Sequence, residues 1–323
     1  MTKPDNVIYV GIDVSKMGID VSKNCLDVYV YPTGVSLQVR NDKSGFKKLA
    51  RKLVSLVPRQ IILEATGRYH RACVRALHAQ GLPVAVVNPF RAHQFAAFKG
   101  QLAKTDSIDA RTLALFGSEG HALTSQPKPE CLQRLEDLMV ARNQNTRLQT
   151  MISNQNSVQV EKDLRRQGLE KLALLKRQNE EIDTAMRNII EADPALAARF
   201  TILKSVPGVG DLTAISLIAS MPELGMCSPK QAASLIGVAP FNRESGTLRG
   251  NPAIRGGRTA LRKILYMSAL SAIRVNGPLK SFYQRLVDNG KPAKVALVAV
   301  LRKLVTILNA LVRENRPWRT KVS

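Results

Sequence analysis

The sequence is poor in the residues that mark zinc proteins, disulfide frameworks and P-loop enzymes. Its 323 residues include four cysteines and four histidines. The cysteines form no Cys-x-x-Cys pair and the histidines lack zinc spacing, which predicts reduced thiols in a cytosolic protein. No Walker motif Gly-x4-Gly-Lys-Ser/Thr occurs, so a P-loop ATPase is excluded. Aromatic residues make up only 5%, which is a weak argument against base stacking with single strands.

Membrane and secretion signals are also missing. Residues 1–6 are polar and precede a strand pattern, so no signal peptide is expected. The most apolar late segment, residues 295–312, is interrupted by Arg302 and Lys303. It therefore predicts an amphipathic or core helix and not a membrane span.

Positive charge is abundant and unevenly distributed. The net charge is +23 and the sequence pI is about 10.3. Residues 1–125 carry 17 Lys/Arg and 9 Asp/Glu, residues 126–225 carry 13 of each, and residues 226–323 carry 18 and 3. Such a basic chain is expected to bind nucleic acid or an anionic membrane surface, with the C-terminal third as its main electrostatic contact.

The N-terminal part alternates between strand and helix patterns. Apolar or alternating runs predict strands at 7–12, 26–31, 35–40, 60–64 and 83–87, and helical spacing predicts helices at 45–56, 69–80, after Asn88 and at 104–117. Three strands followed by alternating helices and strands indicate an α/β domain with a mixed sheet.

The middle of the chain reads as two long helices. Residues 130–192 are almost free of Gly and Pro, and Gly168 is interpreted as the break between the helices. The second helix has a coiled-coil seam with one polar position, formed by Leu172, Leu175, Asn179, Ile182, Met186 and Ile189. The pattern fits either self-association or a helical hairpin packed within one chain.

Two glycine-containing segments follow in the basic third. The turn Ser205-Val206-Pro207-Gly208-Val209-Gly210 resembles a helix-hairpin-helix turn, in which backbone N–H groups near Gly208 and Gly210 hold a phosphate, although a plain helix–helix turn fits equally well. Residues 241–258 read as a Gly- and Arg-rich loop within helical sequence. Its candidate phosphate ligands are guanidinium groups, those of Arg243, Arg249, Arg255 and Arg258.

Four acidic residues stand where an α/β domain gathers catalytic groups. Asp13 ends the first strand and Glu64 ends the fourth, while Asp106 and Asp109 share one face of a helix start. Four carboxylates at one sheet edge would repel each other unless a cation such as Mg²⁺ neutralised them. Acids in a first helical turn also complement the helix dipole, so a capping role for Asp106 and Asp109 remains open.

A tandem repeat makes the first acid ambiguous. Gly-Ile-Asp-Val-Ser-Lys occurs at residues 11–16 and again at 18–23. We favour Asp13, because residues 7–12 form the better central strand. Asp20 remains the alternative.

Several motifs in order resemble one family. Tyr-Val-Gly-Ile-Asp-Val-Ser-Lys, Leu-Glu-Ala-Thr-Gly and Lys-Thr-Asp-Ser-Ile-Asp-Ala-Arg resemble the DEDD domain of IS110-type insertion-sequence transposases, whose relatives include the Piv-type DNA invertases. Ser-Val-Pro-Gly-Val-Gly, Ala-Ser-Leu-Ile-Gly-Val-Ala-Pro and Glu-Ser-Gly-Thr-Leu-Arg-Gly extend the resemblance through the C-terminal half. Each motif alone is weak, but together they cover nearly the whole chain.

The resemblance implies a fold in three parts. These are a RuvC/RNase H-like α/β domain at residues 1–125, a helical coiled-coil connector at 126–200, and a mostly α-helical basic domain at 201–323 with a helix-hairpin-helix-like turn.

The resemblance also implies a chemistry. The acidic tetrad falls on Asp13, Glu64, Asp106 and Asp109, which would bind Mg²⁺, and the serine nucleophile falls on Ser245. The implied activity is cutting and rejoining of donor and target double-stranded DNA through a covalent serine–DNA link, guided by a structured RNA from the element. A homo-oligomer in the bacterial cytoplasm, on the nucleoid when active, is expected, with no membrane partner.

Two other readings remain open at this point. In one, the tetrad hydrolyses DNA as a metal-dependent nuclease and Ser245 is structural. In the other, the protein only binds nucleic acid through its basic C-terminal third. A Piv-like invertase would share the recombinase chemistry and differ in its DNA target.

Overall fold

The chain forms two compact units, Met1–Lys128 and Pro129–Ser323, called here the N-terminal and C-terminal units. The computed structural model describes residues 7–15, 25–65, 69–100, 106–125, 128–245, 248–275 and 277–319. Within these ranges, the side chains of residues 15, 106–108, 242–245 and 248–252 are not described.

The N-terminal unit is a mixed α/β domain, as the sequence predicts. Its described elements are β1 (Tyr9–Ser15), β2 (Cys25–Tyr31), β3 (Val35–Arg40), α1 (Lys43–Leu56), β4 (Gln60–Glu64), α2 (Arg71–His78), β5 (Val84–Val87), α3 (Pro89–Phe98) and α4 (Asp106–Ser118). The strand order is β3-β2-β1-β4-β5. Strands β1, β2 and β3 pair antiparallel, and β4 and β5 continue the sheet parallel to β1.

Helices cover both faces of this sheet. Alternate residues of the central strands, among them Ile12 and Leu63, are buried in one apolar cluster with the inner faces of α1 and α2. The opposite face, which includes Ile62 and Val87, packs against α3 and α4. Strands buried on both sides require continuous apolar runs, which explains why β4 reads so clearly in the sequence.

Helix α4 lies unusually close to the sheet because glycine stands at the contact. A Cβ added to Gly11 would lie 1.9 Å from the carbonyl oxygen of Ala110 and 2.6 Å from the amide nitrogen of Ala114. At the other end of the helix, a Cβ on Gly117 would lie 2.2 Å from Cδ1 of Ile62. The missing side chains thus let backbone and sheet meet directly along the helix.

The C-terminal unit is mostly helical. Its described elements are α5 (Glu130–Ser157), α6 (Lys162–Glu191), α7 (Pro194–Lys204), α8 (Asp211–Ser220), α9 (Pro229–Ile236), β6 (Pro240–Ser245), β7 (Leu248–Ile254), α10 (Thr259–Val275), α11 (Gly277–Asp288) and α12 (Ala293–Arg313). One apolar core joins the base of α5 and α6 to the helices that follow, so the expected boundary at residue 200 falls within a continuously packed unit.

Helix α12 forms the centre of this core. Among the described helices, it alone is long and apolar enough to cross a membrane, and 50% of its most apolar window is buried inside the protein. Its buried positions recur along one face, including Val300, Leu304 and Leu308. This pattern is that of a core helix, in line with the sequence prediction.

The predicted break at Gly168 is wrong. Gly168 lies inside α6, and the chain instead leaves the helical path between α5 and α6, at residues 158–161. A Cβ on Gly168 would lie 2.2 Å from Oδ1 of Asn156, whose amide nitrogen donates to the Arg165 carbonyl at 3.1 Å. The glycine therefore makes room for the side chain that closes the hairpin, and it does not end a helix.

The predicted Gly- and Arg-rich loop is also corrected. Most of it is an antiparallel hairpin of β6 and β7, with pairs running from Pro240↔Ile254 to Ser245↔Leu248. The high content of glycine and arginine is typical of a loop. The segment nevertheless forms strands, because the backbones of the two short segments pair with each other.

The coiled-coil seam packs within the chain, between α5 and α6. Asn179 and Met186 are buried, and the Asn179 amide nitrogen donates to Oε1 of Gln149 at 3.4 Å. Farther toward the base, the Arg142 guanidinium grips both carboxylate oxygens of Asp183, at 2.6 and 3.1 Å. These polar contacts define the register of the hairpin.

All four cysteines are free thiols, which agrees with the expectation of reduced cysteines. Cys73 is fully buried, and burial raises the pKa of its thiol to about 12. Such a thiol is unreactive at neutral pH.

The contact at Gly11 predicts a large effect for a small substitution. We expect Gly11→Ala to lower the free energy of unfolding by about 1–3 kcal/mol, because the new methyl group meets backbone that cannot move alone. Urea denaturation measures this change. Gly277→Ala, where a Cβ would meet no atom within 4 Å, serves as control and should stay within about 0.5 kcal/mol of wild type. Equal effects of the two substitutions would contradict the close packing of α4.

Candidate active site

Asp13 and Glu64 lie side by side on neighbouring parallel strands. The register of β1 and β4 runs from Tyr9↔Gln60 to Ile12↔Leu63. Asp13 and Glu64 are the next residues on their strands, and parallel strands lie about 4.8 Å apart. Both acids share the sheet face of Gly11 and Ile62, because side chains alternate along a strand. This is the face covered by α4.

Helix α4 points its N-terminus at the same place. Its C-terminal part lies over Ile62 and near Oε1 of Gln60, early in β4, while Ala110 lies over Gly11. The helix therefore crosses the sheet obliquely, from β4 over β1 toward β2, and its start lies near the positions of Asp13 and Asp27. Asp106 is its first residue and Asp109 directly precedes Ala110. The fold thus brings all four predicted acidic positions to one region.

The side chains do not form a finished metal site. Asp13 is 9% exposed, Glu64 and Asp109 are half-buried, and each of the three already interacts with other groups. Among the side chains that the structure describes, no three from His, Cys, Asp and Glu lie close enough to hold a metal ion. The side chain of Asp106 and the whole of Asp20 lie outside the described residues. The backbone brings these positions near one another, but the described carboxylates do not converge on one point.

A further acid, Asp27, belongs to this face and was missed in the sequence. It pairs directly with Asp13 across β1 and β2. Its Oδ1 accepts a hydrogen bond from Nε2 of Gln38 at 2.8 Å, and its Oδ2 is buried without a hydrogen-bond partner. A buried carboxylate oxygen without a donor fits a cation as its missing partner. Because side chains alternate along β2, the sequence places Asp27 on the other face of the strand from the buried Leu26 and Val28. That Asp27 pairs with Asp13 can be seen only from the register of the two strands in the structure.

The candidate nucleophile lies in the C-terminal unit. Ser245 is the last residue of β6 and pairs with Leu248 at the turn end of the hairpin. The side chains of Ser245, Arg243 and Arg249 are outside the description.

The two remaining predicted arginines have different surroundings. Arg255 is exposed, with its guanidinium carbon 5.2 Å from the centroid of the Phe241 ring. Arg258 instead makes a bidentate ion pair with Glu223, at 2.6 and 2.9 Å. This ion pair connects the segment after β7 with the loop after α8. The Arg258 guanidinium is therefore already engaged by a carboxylate within the protein.

The glycine turn at residues 205–210 joins α7 and α8. Gly208 has a φ of 95°, and a Cβ there would lie 2.6 Å from Cα of Ala272, so close packing on α10 explains this glycine. Gly210 is exposed and precedes the first turn of α8. Asp211 follows it and forms an ion pair with Nζ of Lys204 at 2.7 Å. An anion at this helix start would meet the Asp211 carboxylate as well as free N–H groups.

Comparison with known proteins gives a consistent class. Residues 10–161 match the family model for the DEDD domain of IS110 type, described as "Transposase". Residues 200–284 match a second model, described as "Transposase IS116/IS110/IS902 family". The two matches cover both units of the chain and define a transposase, a class of DNA recombination enzyme.

The relatives agree with the family models. A pilin gene-inverting protein of Moraxella bovis is 27% identical over 334 residues, covering 97% of this chain and 98% of the relative. An insertion element IS110 43.6 kDa protein of Streptomyces coelicolor is 28% identical over 154 residues, covering 47% of this chain and 37% of the relative. The chain belongs to the IS110-type transposases.

Asp27 generates a stability prediction. Like charges directly opposite each other on paired strands are destabilising. We expect Asp27→Asn to raise the free energy of unfolding in EDTA by about 0.5 kcal/mol, because it removes one charge and keeps an acceptor for Gln38. The measurement is urea denaturation.

A double-mutant cycle isolates the pair. In an Asp13→Asn background, the gain from Asp27→Asn should disappear. A loss of stability of the same size in both backgrounds would show that Asp27 supports the fold independently of Asp13.

Proposed function

We propose that the protein is a DNA recombinase that cuts and rejoins strands through a covalent link to Ser245, with Mg²⁺ held by Asp13, Glu64, Asp106 and Asp109. The observation that carries this proposal is the convergence of β1, β4 and the start of α4. The strand order β3-β2-β1-β4-β5, with its first three strands antiparallel, is also the arrangement expected of a RuvC/RNase H-like fold.

The donor set suits a hard divalent cation. Carboxylate oxygens are the ligands that Mg²⁺ prefers, and acids crowded on one sheet face gain most from a cation that neutralises them. Bound there, Mg²⁺ would supply Lewis-acid polarisation of a phosphate and lower the pKa of an attacking hydroxyl.

The remaining steps of the proposed reaction are carried out by residues of the chain itself. The Ser245 Oγ attacks a DNA phosphorus, the bond from that phosphorus to one strand oxygen breaks, and the departing oxygen takes up a proton. The phosphodiester energy remains in the serine–phosphate bond, so rejoining needs no ATP. Histidine is absent after residue 121, so no histidine of the C-terminal unit activates Ser245. Ser245 belongs to the C-terminal unit and the four acids belong to the N-terminal unit.

Basic groups of the C-terminal unit would hold the nucleic acid. Arg243, Arg249 and Arg255 are proposed phosphate ligands on or beside the hairpin, and Arg258 would contribute only by exchanging its contact with Glu223. Exposed Gly210 is the better candidate of the two turn glycines for a backbone contact with phosphate, since Gly208 packs against α10.

Partners follow from the reaction. Recombination joins two duplexes, so an even-numbered homo-oligomer with α5 and α6 in the contact is proposed. A structured RNA from the element is the proposed guide that selects donor and target. The enzyme would act on chromosomal DNA in the bacterial cytoplasm.

A second candidate is DNA inversion within one molecule. It is favoured by the full-length match to the pilin gene-inverting protein of Moraxella bovis. Inversion and transposition would use the same acids and serine, and they differ in the DNA sites that are joined.

The test is trapping of the covalent intermediate. The protein is mixed with Mg²⁺, labelled DNA spanning the element junction, and RNA transcribed from the element's non-coding end, then denatured in SDS. We expect a labelled protein band that disappears in Ser245→Ala and persists in the control Ser281→Ala. Glu64→Gln should slow adduct formation by about 100-fold or more while DNA binding persists.

The alternatives predict other outcomes. Cut DNA without an adduct, unchanged in Ser245→Ala, would identify a metal-dependent nuclease. DNA binding without adduct or cutting, in reactions that contain RNA and substrate, would leave a binding protein. Inversion products from a substrate carrying two inverted sites would favour the invertase.

A further inference from the structure

One basic surface of the N-terminal unit has no role in the proposed chemistry. A groove of about 760 Å³ runs between α1 and the edge strand β3. It is called here the α1 groove and is lined by residues 37–39 of β3 and by Ser44, Lys47, Lys48, Arg51 and Lys52 of α1. Its charged side chains are all positive.

The helix that carries these charges gains no stability from them. Lys43 and Lys47, Lys47 and Arg51, and Lys48 and Lys52 are three like-charge pairs at i, i+4, each costing about 0.2–0.5 kcal/mol in a helix. The first turn contains Lys43 and no acid, the reverse of what the helix dipole favours. The charge pattern therefore needs an explanation outside helix stability.

No group in the described chain compensates the charge. Lys43, Lys47, Lys48, Arg51 and Lys52 are exposed and make no ion pair among the described residues. The one adjacent acid, Asp42, caps the helix. The Gly45 backbone N–H donates to its Oδ1 at 2.7 Å, and this bond, with the Ser44 hydroxyl, lowers the pKa of Asp42.

The core fixes the direction in which the cations point. Phe46, Leu49 and Leu53 are buried against the sheet on the opposite side of α1. Rotation of the helix would expose this apolar face, so the basic face is held toward solvent and the groove.

The other wall of the groove adds hydrogen-bond donors and a link to the acids. Strand β3 is the edge of the sheet, so its outer backbone N–H groups are unpaired with any strand of the described sheet. Gln38 of this strand contributes to the groove wall, and its side chain donates to Asp27 on the opposite face of the sheet, where Asp27 faces Asp13. The groove and the acidic pair therefore lie on opposite faces of the sheet, with the edge strand β3 between them.

We propose that the α1 groove binds the phosphate backbone of the double-stranded DNA being recombined, on the flank of the scissile phosphate. Four cations in two rows and edge-strand N–H groups complement successive phosphates. Substrate DNA fits better than RNA, because a duplex that passes the edge strand β3 can extend from the groove on one face of the sheet toward the acids on the other. The inference rests on the proposed function and assigns it a DNA contact outside the C-terminal third.

The test compares two variants of the full-length protein that lose the same charge. The groove variant is Lys47→Gln, Lys48→Gln, Arg51→Gln and Lys52→Gln. The control is Lys162→Gln, Arg165→Gln, Lys171→Gln and Lys176→Gln, on the exposed surface of α6. Circular dichroism and thermal unfolding confirm folding, which should persist because the groove variant removes like-charge pairs.

Fluorescence anisotropy with a short junction duplex then gives affinity across a salt series. Each lost phosphate contact reduces the salt slope by about 0.9, so we expect the groove variant to lose about 3–4 from the slope and about tenfold or more in affinity. The control should lose clearly less. Affinity for a structured RNA with the same number of phosphates should be unchanged in the groove variant.

The contrary results are distinct. An unchanged DNA slope in the groove variant, or a loss equal to that of the control, would overturn the proposal. Loss of RNA affinity, with or without loss of DNA affinity, would overturn the assignment to DNA. If the wild-type protein forms the serine adduct normally and the groove variant binds DNA normally, only this inference fails. If the wild-type protein binds no DNA, the proposed function fails with it.

Discussion

The contact between the α4 backbone and Gly11 is the constraint on which the candidate site depends. Any side chain at Gly11 would collide with the carbonyl of Ala110 and push the helix away from β1. The helix start that carries Asp106 and Asp109 would then move from the strand ends that carry Asp13 and Glu64. A residue with no functional group thereby determines the position of the helix start that carries Asp106 and Asp109.

The acidic side chains of the candidate site and the basic side chains of the α1 groove lie on opposite faces of the sheet in the N-terminal unit. The α4 side of the sheet gathers Asp13, Asp27 and Glu64, and the charged side chains that line the groove on the α1 side are all positive. Both arrangements oppose folding, because like charges are held together at fixed distances. Proteins accept such costs where a ligand of opposite charge is the working partner. Here the two faces carry opposite charge, so the partners proposed for them are a cation on one face and a polyanion on the other.

The sequence predicts much of the architecture and only part of the site. The buried run of β4 was predicted with its observed ends, 60–64, because a strand covered on both faces has no polar interruptions. Gly168 suggested a helix end that does not exist. A glycine is needed there because the Asn156 side chain of α5 packs against this position of α6. The sequence does not single out Asp27, because its pairing with Asp13 depends on the strand register. The register is not encoded in the local sequence pattern of either strand. The hairpin of β6 and β7 could not be predicted, because the segment has the Gly- and Arg-rich composition of a loop.

The central position of α12 affects how the chain can fold during synthesis. The N-terminal unit has all its described strands and helices by residue 118 and can close while the ribosome continues, in keeping with the general order of domain folding. The C-terminal unit must wait for Ala293–Arg313, because α12 contributes buried residues from Ala296 to Leu311 to its core. Until then the surfaces of α9 and α10 that pack against α12 remain uncovered. The period between emergence of α5 and emergence of α12 is therefore when the nascent C-terminal unit exposes the apolar surface that its core later buries.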